Sequence, residues 1–279
     1  MDEVHSDWGD WLPRAVEAAD PDGLRLWYLG CNGFVLKSAG GTTVYIDPYL
    51  GTGDPPRTIR MIPVPFDPED VTAADAVLAT HEHSDHVHGP SQAPILAQTG
   101  ANFYATDPSL AVTDEQDWTT NWDVDAEQLT AVSPGDTFSV GDLTVSVESA
   151  NDPDADGEVA YVIEHDAGTF VHGGDARPGS FESIGESYDV DLAVLAVGSV
   201  GMIPDKETRE PKLTKWYNDE NMIIEAATEL QADRLVPTHW DMWKRLTADP
   251  TALVEHARSF EYPRHVEIAE IGDTVDLSR

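Results

Sequence analysis

Residues 81–88, with the sequence HEHSDHVH, contain four of the chain's ten histidines together with an aspartate and a glutamate. Imidazole nitrogens and carboxylate oxygens are the groups that hold divalent cations in hydrolytic enzymes. His81 and His83 are spaced to face one cation, whereas Asp85 and His86 lie beyond a turn and can face a second cation nearby. Two cations with an open position for water perform hydrolysis. The alternative is a polar loop whose histidines satisfy backbone groups, but the long H-x-H-x-D-H pattern favours a metal site.

Three further candidate ligands follow segments that are typical of buried strands. Asp152 follows TVSVESA, Asp175 follows GTFVHGG and His239 follows RLVPT, just as the histidine stretch follows ADAVLAT. Side chains at the ends of several strands can converge on one edge of a sheet, where loops hold ligands on a rigid support. We therefore expect these residues and the histidine stretch to form one site.

The segments between these positions predict many strands, with helices in both halves of the chain. A short amphipathic helix is predicted in WGDWLPRAVEAAD, followed by strands in LRLWYLG, GFVLKS and TTVYIDPYL. After the histidine stretch, strands are predicted in LTAVSPGDTFSV, GDLTVSVESA, VAYVIEHD, GTFVHGGDA, DLAVLAVG and RLVPTH. Helices are predicted in DENMIIEAATELQA, with Asp219 as N-cap, and in DPTALVEHARSF. No linker or repeat interrupts the chain, so we expect one domain over residues 1–279, with helices outside sheets.

The charge of the chain is strongly negative. Sixteen basic residues, only five of them lysines, accompany 52 acidic residues, which gives a net charge of −36. Such a surface repels itself in dilute buffer and is tolerated when salt screens it, as in proteins of halophiles. The same field opposes long nucleic acids and anionic membrane surfaces, so we expect neither as a partner.

Cys31 is the only cysteine, which excludes an intramolecular disulfide and a cysteine-rich zinc module. The N-terminal residues are acidic and lack the apolar core of a secretory signal. No later run reaches the roughly eighteen apolar residues that a membrane helix needs. We therefore expect a soluble, cytoplasmic protein. The sequence leaves the oligomeric state open, a homo-oligomer included.

With these motifs the chain resembles the metallo-β-lactamase superfamily, whose metal motif is H-x-H-x-D-H, and within it the L-ascorbate-6-phosphate lactonase branch. The resemblance covers nearly the whole chain and includes GFVLKSAGGTTVYID, DAVLATHEHSDH, VSPGDTFSVGDLTV, GTFVHGGDA, VDLAVLAVGSVG and VPTHWDMWKRLTADP. It implies an αββα sandwich of two mixed β-sheets with helices on the outer faces and the metal at one edge between the sheets.

The resemblance also implies a role for each candidate ligand. Matched residue by residue, His81 and His83 bind a first cation, Asp85, His86 and His239 bind a second, and Asp175 bridges both. Most of the superfamily has another histidine for the first cation where this chain has Asn151 and Asp152. The lactonase branch also has an aspartate there, so Asp152 agrees with the narrower resemblance.

The donor set bears on the identity of the metal, of which we expect one or two divalent ions per chain. Histidine nitrogens and several aspartate oxygens, with no thiolate, form a hard set that favours Mn²⁺, as the lactonase branch does. Zn²⁺ is the alternative, because it binds more tightly than Mn²⁺ to most nitrogen and oxygen sites. Asp47, in VYIDPYL, matches an aspartate that supports the histidine loop in the superfamily, although a simple turn before Pro48 would also explain it.

Residues 205–219, DKETREPKLTKWYND, contain a quarter of the basic residues, namely Lys206, Arg209, Lys212 and Lys215. We interpret this segment as a loop whose cations attract and orient a small anionic substrate. The alternative is a solvated loop in which they pair with neighbouring carboxylates.

Three other residues are candidates for the substrate pocket. Arg177, two residues after Asp175, is a candidate anion contact, and a surface arginine is the alternative. Trp240 and Trp243 are predicted to form a wall of the pocket, although packing alone would also explain them.

The resemblance implies that metal-activated water opens a lactone of a phosphorylated sugar acid, with L-ascorbate 6-phosphate as the substrate. Asp85 or Asp175 would orient the water and carry its proton. A metal-dependent phosphodiesterase acting on a small nucleotide or an RNA end is the alternative, because the same metal pair suits both reactions. A metal-sensing or scaffold protein would need closed coordination without an open water position.

We predict that the protein requires salt for stability. Screening of the −36 charge should raise the midpoint of thermal unfolding as KCl increases from the millimolar to the molar range. Unfolding followed by circular dichroism across a KCl series tests this, and a midpoint that is highest in dilute buffer would contradict it.

Overall fold

The computed structural model describes residues 4–56, 58–204 and 208–278. The described strands are β1 (Leu24–Gly30), β2 (Gly33–Ser38), β3 (Thr43–Ile46), β4 (Ala76–Leu78), β5 (Asn102–Ala105), β6 (Leu129–Ala131), β7 (Thr137–Val140), β8 (Leu143–Ser149), β9 (Val159–His165), β10 (Gly168–His172), β11 (Leu192–Ala196), β12 (Val200–Pro204), β13 (Pro211–Lys215), β14 (Arg234–Thr238), β15 (His265–Val266) and β16 (Thr274–Leu277). The described α-helices are α1 (Trp11–Ala18), α2 (Gly89–Thr99), α3 (Asp107–Glu115), α4 (Trp118–Asn121), α5 (Glu182–Ser187), α6 (Glu220–Glu229) and α7 (Thr251–Ala257).

The strands form two seven-stranded sheets and a separate two-stranded hairpin. The first sheet has the order β16-β1-β2-β3-β4-β5-β6, and the second has the order β15-β14-β11-β10-β9-β8-β7. In each sheet one half is antiparallel and the other half is parallel, with the change at β3 in the first sheet and at β10 in the second. Both sheets are therefore mixed, as predicted.

The main core lies between the two sheets and contains side chains from both of them. The outer faces of the sheets are also buried. Along β1, Leu24, Leu26 and Tyr28 face the second sheet, whereas Trp27 and Leu29 face the helices of the first layer, as the two-residue period of a strand requires. The second sheet contributes the opposing residues Val145, Val147, Tyr161, Ile163, Phe170, Leu192 and Val194.

Helices cover the outer face of each sheet. Leu12 of α1, Leu96 of α2 and Trp118 of α4 pack against the first sheet. Ile224 of α6 and Leu253 of α7 pack against the second sheet. The layers are thus helix, sheet, sheet and helix, and the predicted αββα sandwich is confirmed. Among the described residues no helix combines the length and the apolar character of a membrane span.

One part of the predicted organisation is wrong. We expected a loop over residues 205–219, but Pro211–Lys215 forms β13, which pairs antiparallel with β12. The hairpin lies outside both sheets, and its opposed residues Met202 and Leu213 are 63% and 59% exposed. Without a buried face it lacks the alternation that marks a strand in a sequence. Lys206 lies outside the described residues.

The start of α6 agrees with the predicted N-cap. The Asp219 carboxylate accepts hydrogen bonds from the backbone N–H groups of Asn221 and Met222, and Lys215 pairs with it. Burial raises the pKa of Asp219, but the hydrogen bonds from Lys215 and the two amides outweigh burial and hold that pKa below its ordinary value.

We predict that Asp219→Ala destabilises the protein by about 1 kcal/mol at neutral pH, because the helix loses its cap. Since the folded pKa is lowered, the charge stabilises the fold fully above the unfolded pKa and less as the pH falls through the folded value. The difference in unfolding free energy from the wild type should therefore shrink below about pH 4, as measured by urea denaturation in constant KCl. A difference that grows on acidification would contradict the assignment.

Candidate metal centre

All seven predicted metal ligands lie at one edge of the sandwich, where strand ends from both sheets meet. The histidine loop follows β4 of the first sheet, whereas Asp152, Asp175 and His239 follow β8, β10 and β14 of the second. Strands β10, β11 and β14 are parallel, so their carboxyl ends point to the same edge. The ligand atoms form two groups, each with all its atoms within 4.8 Å of one another.

The first group contains His81, His83, Asp152 and Asp175. His81 Nε2 is 2.9 Å from His83 Nδ1 and 3.9 Å from Asp175 Oδ2. His81 and Asp175 are buried, whereas His83 is partly exposed. Two nitrogens and two carboxylates at this separation match the donor types and spacing of a divalent cation site.

The second group contains the predicted residues Asp85, His86 and His239, together with Cys31. His239 Nε2 is 3.4 Å from Asp85 Oδ2 and 3.6 Å from Asp175 Oδ1. His86 Nε2 is 3.5 Å from Asp175 Oδ2. Asp175 therefore lies between the two groups, in the position that the resemblance implies for a bridging carboxylate.

Buried carboxylates hold the far side of two histidine rings. Asp47 Oδ2 is 2.8 Å from His86 Nδ1, and Asp47 Oδ1 accepts a hydrogen bond from the backbone N–H of Thr80. Glu158 Oε2 is 2.8 Å from His81 Nδ1. Each contact favours a ring with its Nδ1 protonated and its Nε2 turned toward the group, the arrangement that orients histidine ligands in metal sites. Asp47 thus supports the histidine loop, as the resemblance implies.

Two hydrogen bonds fix Asp175. Asn32 Nδ2 donates a hydrogen bond of 2.6 Å to Asp175 Oδ1, and the backbone N–H of Asp175 donates to Glu158 Oε1. The side-chain oxygen of Asn32 accepts a hydrogen bond from Thr238. Its backbone carbonyl oxygen is 2.8 Å from Nε2 of the buried His172. A side chain at the preceding Gly174 would meet Glu158 Oε1 at 2.1 Å and would displace this carboxylate.

The electrostatics of the site follow from burial opposed by close pairing. Burial raises the pKa of Asp85 and of Asp175, but neighbouring imidazoles outweigh burial and hold both pKa values well below their ordinary range. Burial lowers the pKa of His86, but Asp47 and Asp175 outweigh it and raise that pKa. Burial dominates at Cys31 and raises the pKa of its thiol. Asp85 and Asp175 are thus ionised at neutral pH and able to bind a cation.

The donor set fits divalent cations. The Nε2 atom of His86 is buried and has no hydrogen-bond partner among the residues that the structure describes. This nitrogen lies 3.5 Å from Asp175 Oδ2, a separation at which one cation can contact both atoms. The acidic side chains of the site are Asp47, Asp85, Asp152, Glu158 and Asp175; they face four histidines, and Arg177 lies beside Asp152.

Four residues of the site have a left-handed backbone, which is rare outside glycine. The φ angle is 57° at Cys31, 44° at Asp47, 62° at Tyr217 and 64° at His239. Each such conformation costs about 1–3 kcal/mol. Glycine would remove the cost but would also remove the side chain from the site. The strain therefore accompanies the placement of side chains at this edge.

The comparison with known families agrees with this geometry. A family model described as a beta-lactamase superfamily domain matches residues 42–240, a range that contains every member of the two groups except Cys31. The chain belongs to the metallo-β-lactamase superfamily. Curated relatives named probable L-ascorbate-6-phosphate lactonase UlaG, from Escherichia coli SMS-3-5 and Salmonella heidelberg SL476, are each 28% identical over 88% of this chain and 77% of their own length.

Solved structures show the same metallo-β-lactamase fold. Igni18, a metallo hydrolase from Ignicoccus hospitalis, has a TM-score of 0.66 at 22% identity and covers 90% of this chain and 97% of its own. An isothiocyanate hydrolase from Delia radicum gut bacteria has a TM-score of 0.66 at 18% identity and covers 91% of this chain and all of its own. At these identities the likeness extends to the fold alone.

The metallo-β-lactamase site also contains residues that sequence reasoning missed. Cys31 and Asn32 lie in the turn between β1 and β2, and no spacing linked this turn to the histidines. Glu158 lies directly before β9. Tyr217 follows β13 and stacks on His239, with ring centroids 3.8 Å apart. The only available signals were the lone cysteine itself and the acidic residue directly before a buried strand.

The predicted substrate contacts are placed less uniformly. Arg177 lies beside the first group, with Nη2 3.9 Å from Asp152 Oδ1 and 3.0 Å from Asp154 Oδ2. Trp240 packs against the apolar cluster formed by the second sheet and helices α5–α7, which agrees with the alternative that packing alone explains this residue. Trp243 instead reaches the site and donates a hydrogen bond of 3.0 Å to Asp85 Oδ2.

The hairpin cations have different surroundings. Lys215 pairs with Asp219, which agrees with the alternative that we considered for this segment. Arg209 and Lys212 are exposed. The hairpin continues through Trp216 to Tyr217, and Tyr217 contacts the site by stacking on His239.

We predict that the two supporting carboxylates act on different cations. Asp47→Asn should weaken the cation held by His86, and Glu158→Gln the cation held by His81, each by at least about tenfold, because outer carboxylates orient and polarise imidazole ligands. Titration with Mn²⁺ by calorimetry and electron paramagnetic resonance measures both affinities. Asp276→Asn, which changes an exposed carboxylate paired with Arg25, serves as the control. Control-like affinities in both site variants would contradict the supporting role.

Proposed function

We propose that the protein is a metal-dependent hydrolase that opens the lactone ring of a phosphorylated sugar acid. The proposal rests on one observation. Two clusters of histidine and carboxylate side chains lie at the same edge of the sandwich, with Asp175 between them. Membership of the metallo-β-lactamase superfamily supports hydrolysis, and the 28% identity to proteins named L-ascorbate-6-phosphate lactonase supports the lactone substrate.

Divalent cations bound there would supply Lewis-acid activation of water and would neutralise charge on the carbonyl oxygen. We expect the Asp85 carboxylate to orient the attacking water and to receive its proton. The Asp85 side chain is partly exposed and so accessible to water, whereas Cys31, His86 and His239 of the same group are buried. Trp243 Nε1 holds Asp85 Oδ2 and so fixes the orientation of this carboxylate. We expect Asp175 to be held by Asn32 and to keep the two groups at a constant separation.

Arg177 is our candidate for binding the phosphate or carboxylate of the substrate. Its Nε is buried and has no hydrogen-bond partner in the described part of the chain, and its side chain is next to Asp152 of the first group. A guanidinium beside the metals would offset the strongly negative field that an anionic substrate meets. The exposed Arg209 and Lys212 of the hairpin are further candidates for attracting it.

We predict that the protein loaded with Mn²⁺ or Zn²⁺ in molar KCl hydrolyses sugar-acid lactones faster than bis-p-nitrophenyl phosphate. Asp175→Asn should lower the lactone rate by at least about 10²-fold, because both groups lose a shared carboxylate. Asp276→Asn, in strand β16 where Asp276 pairs with Arg25, should retain the wild-type rate. Hydrolysis of the phosphodiester alone would favour the alternative function, a phosphodiesterase. Hydrolysis of neither substrate would refute the proposal.

A further inference from the structure

The thiol of Cys31 lies within the second group of candidate ligands. Cys31 is fully buried in a small cluster with Tyr49, Met242 and Trp243. Its Sγ is 3.2 Å from His239 Nε2 and 3.6 Å from Asp85 Oδ2. The latter two atoms are 3.4 Å apart, so sulfur, nitrogen and oxygen form a nearly equilateral triangle.

This triangle has the dimensions of one face of a tetrahedral metal site. For bonds of about 2.3 Å to sulfur and about 2.1 Å to nitrogen and oxygen, the edges are about 3.6 Å from sulfur to either atom and about 3.4 Å from nitrogen to oxygen. The observed edges of 3.2, 3.6 and 3.4 Å match these values to within 0.4 Å. One cation can therefore contact all three atoms with little rearrangement.

A second, independent observation indicates a ligand at the same place. His86 belongs to this group, and its buried Nε2 makes no hydrogen bond among the described residues, its contact with Asp175 Oδ2 being 3.5 Å long. Its Nδ1 is already held by Asp47 at 2.8 Å. A cation bound to the triangle would satisfy this nitrogen as a fourth ligand.

We propose that Cys31 is a thiolate ligand of the second cation, together with Asp85, His86 and His239. The inference rests on the metal centre of the proposed function and deepens it. On binding, the S–H bond is replaced by a sulfur–metal bond, the proton leaves to solvent, and no electron is transferred. A thiolate is a soft ligand, so this cation is of the zinc class rather than manganese.

The two groups then differ in their metal preference. The first group, His81, His83, Asp152 and Asp175, offers only nitrogen and oxygen and suits a harder cation such as Mn²⁺. Our expectation of manganese from the sequence assumed a donor set without thiolate and left Cys31 out. The proposal restricts that expectation to the first group.

Spectroscopy of the wild-type protein tests the ligand directly. Because Cys31 is the only cysteine, a near-ultraviolet charge-transfer band from thiolate to Co²⁺ can arise only from this residue. We expect the band in Co²⁺-loaded wild type and its loss in Cys31→Ser and Cys31→Ala. X-ray absorption of the Zn²⁺-loaded wild type should show one sulfur at about 2.3 Å.

Met242→Leu is the matched control, because Met242 is the other buried sulfur of the same cluster and the exchange conserves volume. This variant should keep the band. In competition titrations, Cys31→Ser should lower the preference for Zn²⁺ over Mn²⁺ by at least about tenfold, while Met242→Leu should not.

The outcomes separate this inference from the proposed function. A Co²⁺ spectrum without the band and a zinc shell of nitrogen and oxygen alone would overturn the inference, even if lactones are hydrolysed. The thiol would then act only by donating its hydrogen bond to Asp85. A sulfur ligand in a protein that hydrolyses no lactone would leave the inference standing and refute the lactonase.

Discussion

Pairing of buried imidazoles with buried carboxylates is the constraint on which the rest of the site depends. A charged group moved from water into a protein interior costs several kcal/mol unless a partner and hydrogen bonds compensate it. Here Asp47 faces His86, Glu158 faces His81, and Asp175 lies among three imidazoles. A divalent cation at this edge would add positive charge beside Asp85 and Asp175, whose pKa values are held low by the same imidazoles.

The fold can hold such a site because its support is large and apolar. Strands buried on both faces contribute side chains such as Leu26, Tyr28, Phe34 and Tyr161, each of which stabilises the protein by about 1.5–3 kcal/mol. The left-handed residues at the edge each cost about 1–3 kcal/mol. A few core side chains therefore offset the strain of the whole site, and the turns at the strand ends can be shaped by function.

The sequence predicted the parts of the site that follow a regular pattern. His81, Asp175 and His239 each come directly after an apolar strand, and strand ends meet at an edge, so their convergence could be inferred. Asp219 was recognised because an N-cap has a local signature. Cys31, Glu158 and Tyr217 gave no such signal, since each reaches the site through a tertiary contact. The β12–β13 hairpin was missed for a related reason, because it buries no face against either sheet.

Each group of ligands draws on both halves of the sandwich. In the first group His81 and His83 come from one sheet and Asp152 and Asp175 from the other, and in the second group His239 alone comes from the opposite sheet. A cation held by either group would act as a further crosslink between layers that already share hydrogen bonds at this edge, such as the one from Asn32 to Asp175. Occupancy would then couple the chemistry to the cohesion of the domain, since a ligand that binds only the folded state stabilises it in proportion to its affinity and concentration.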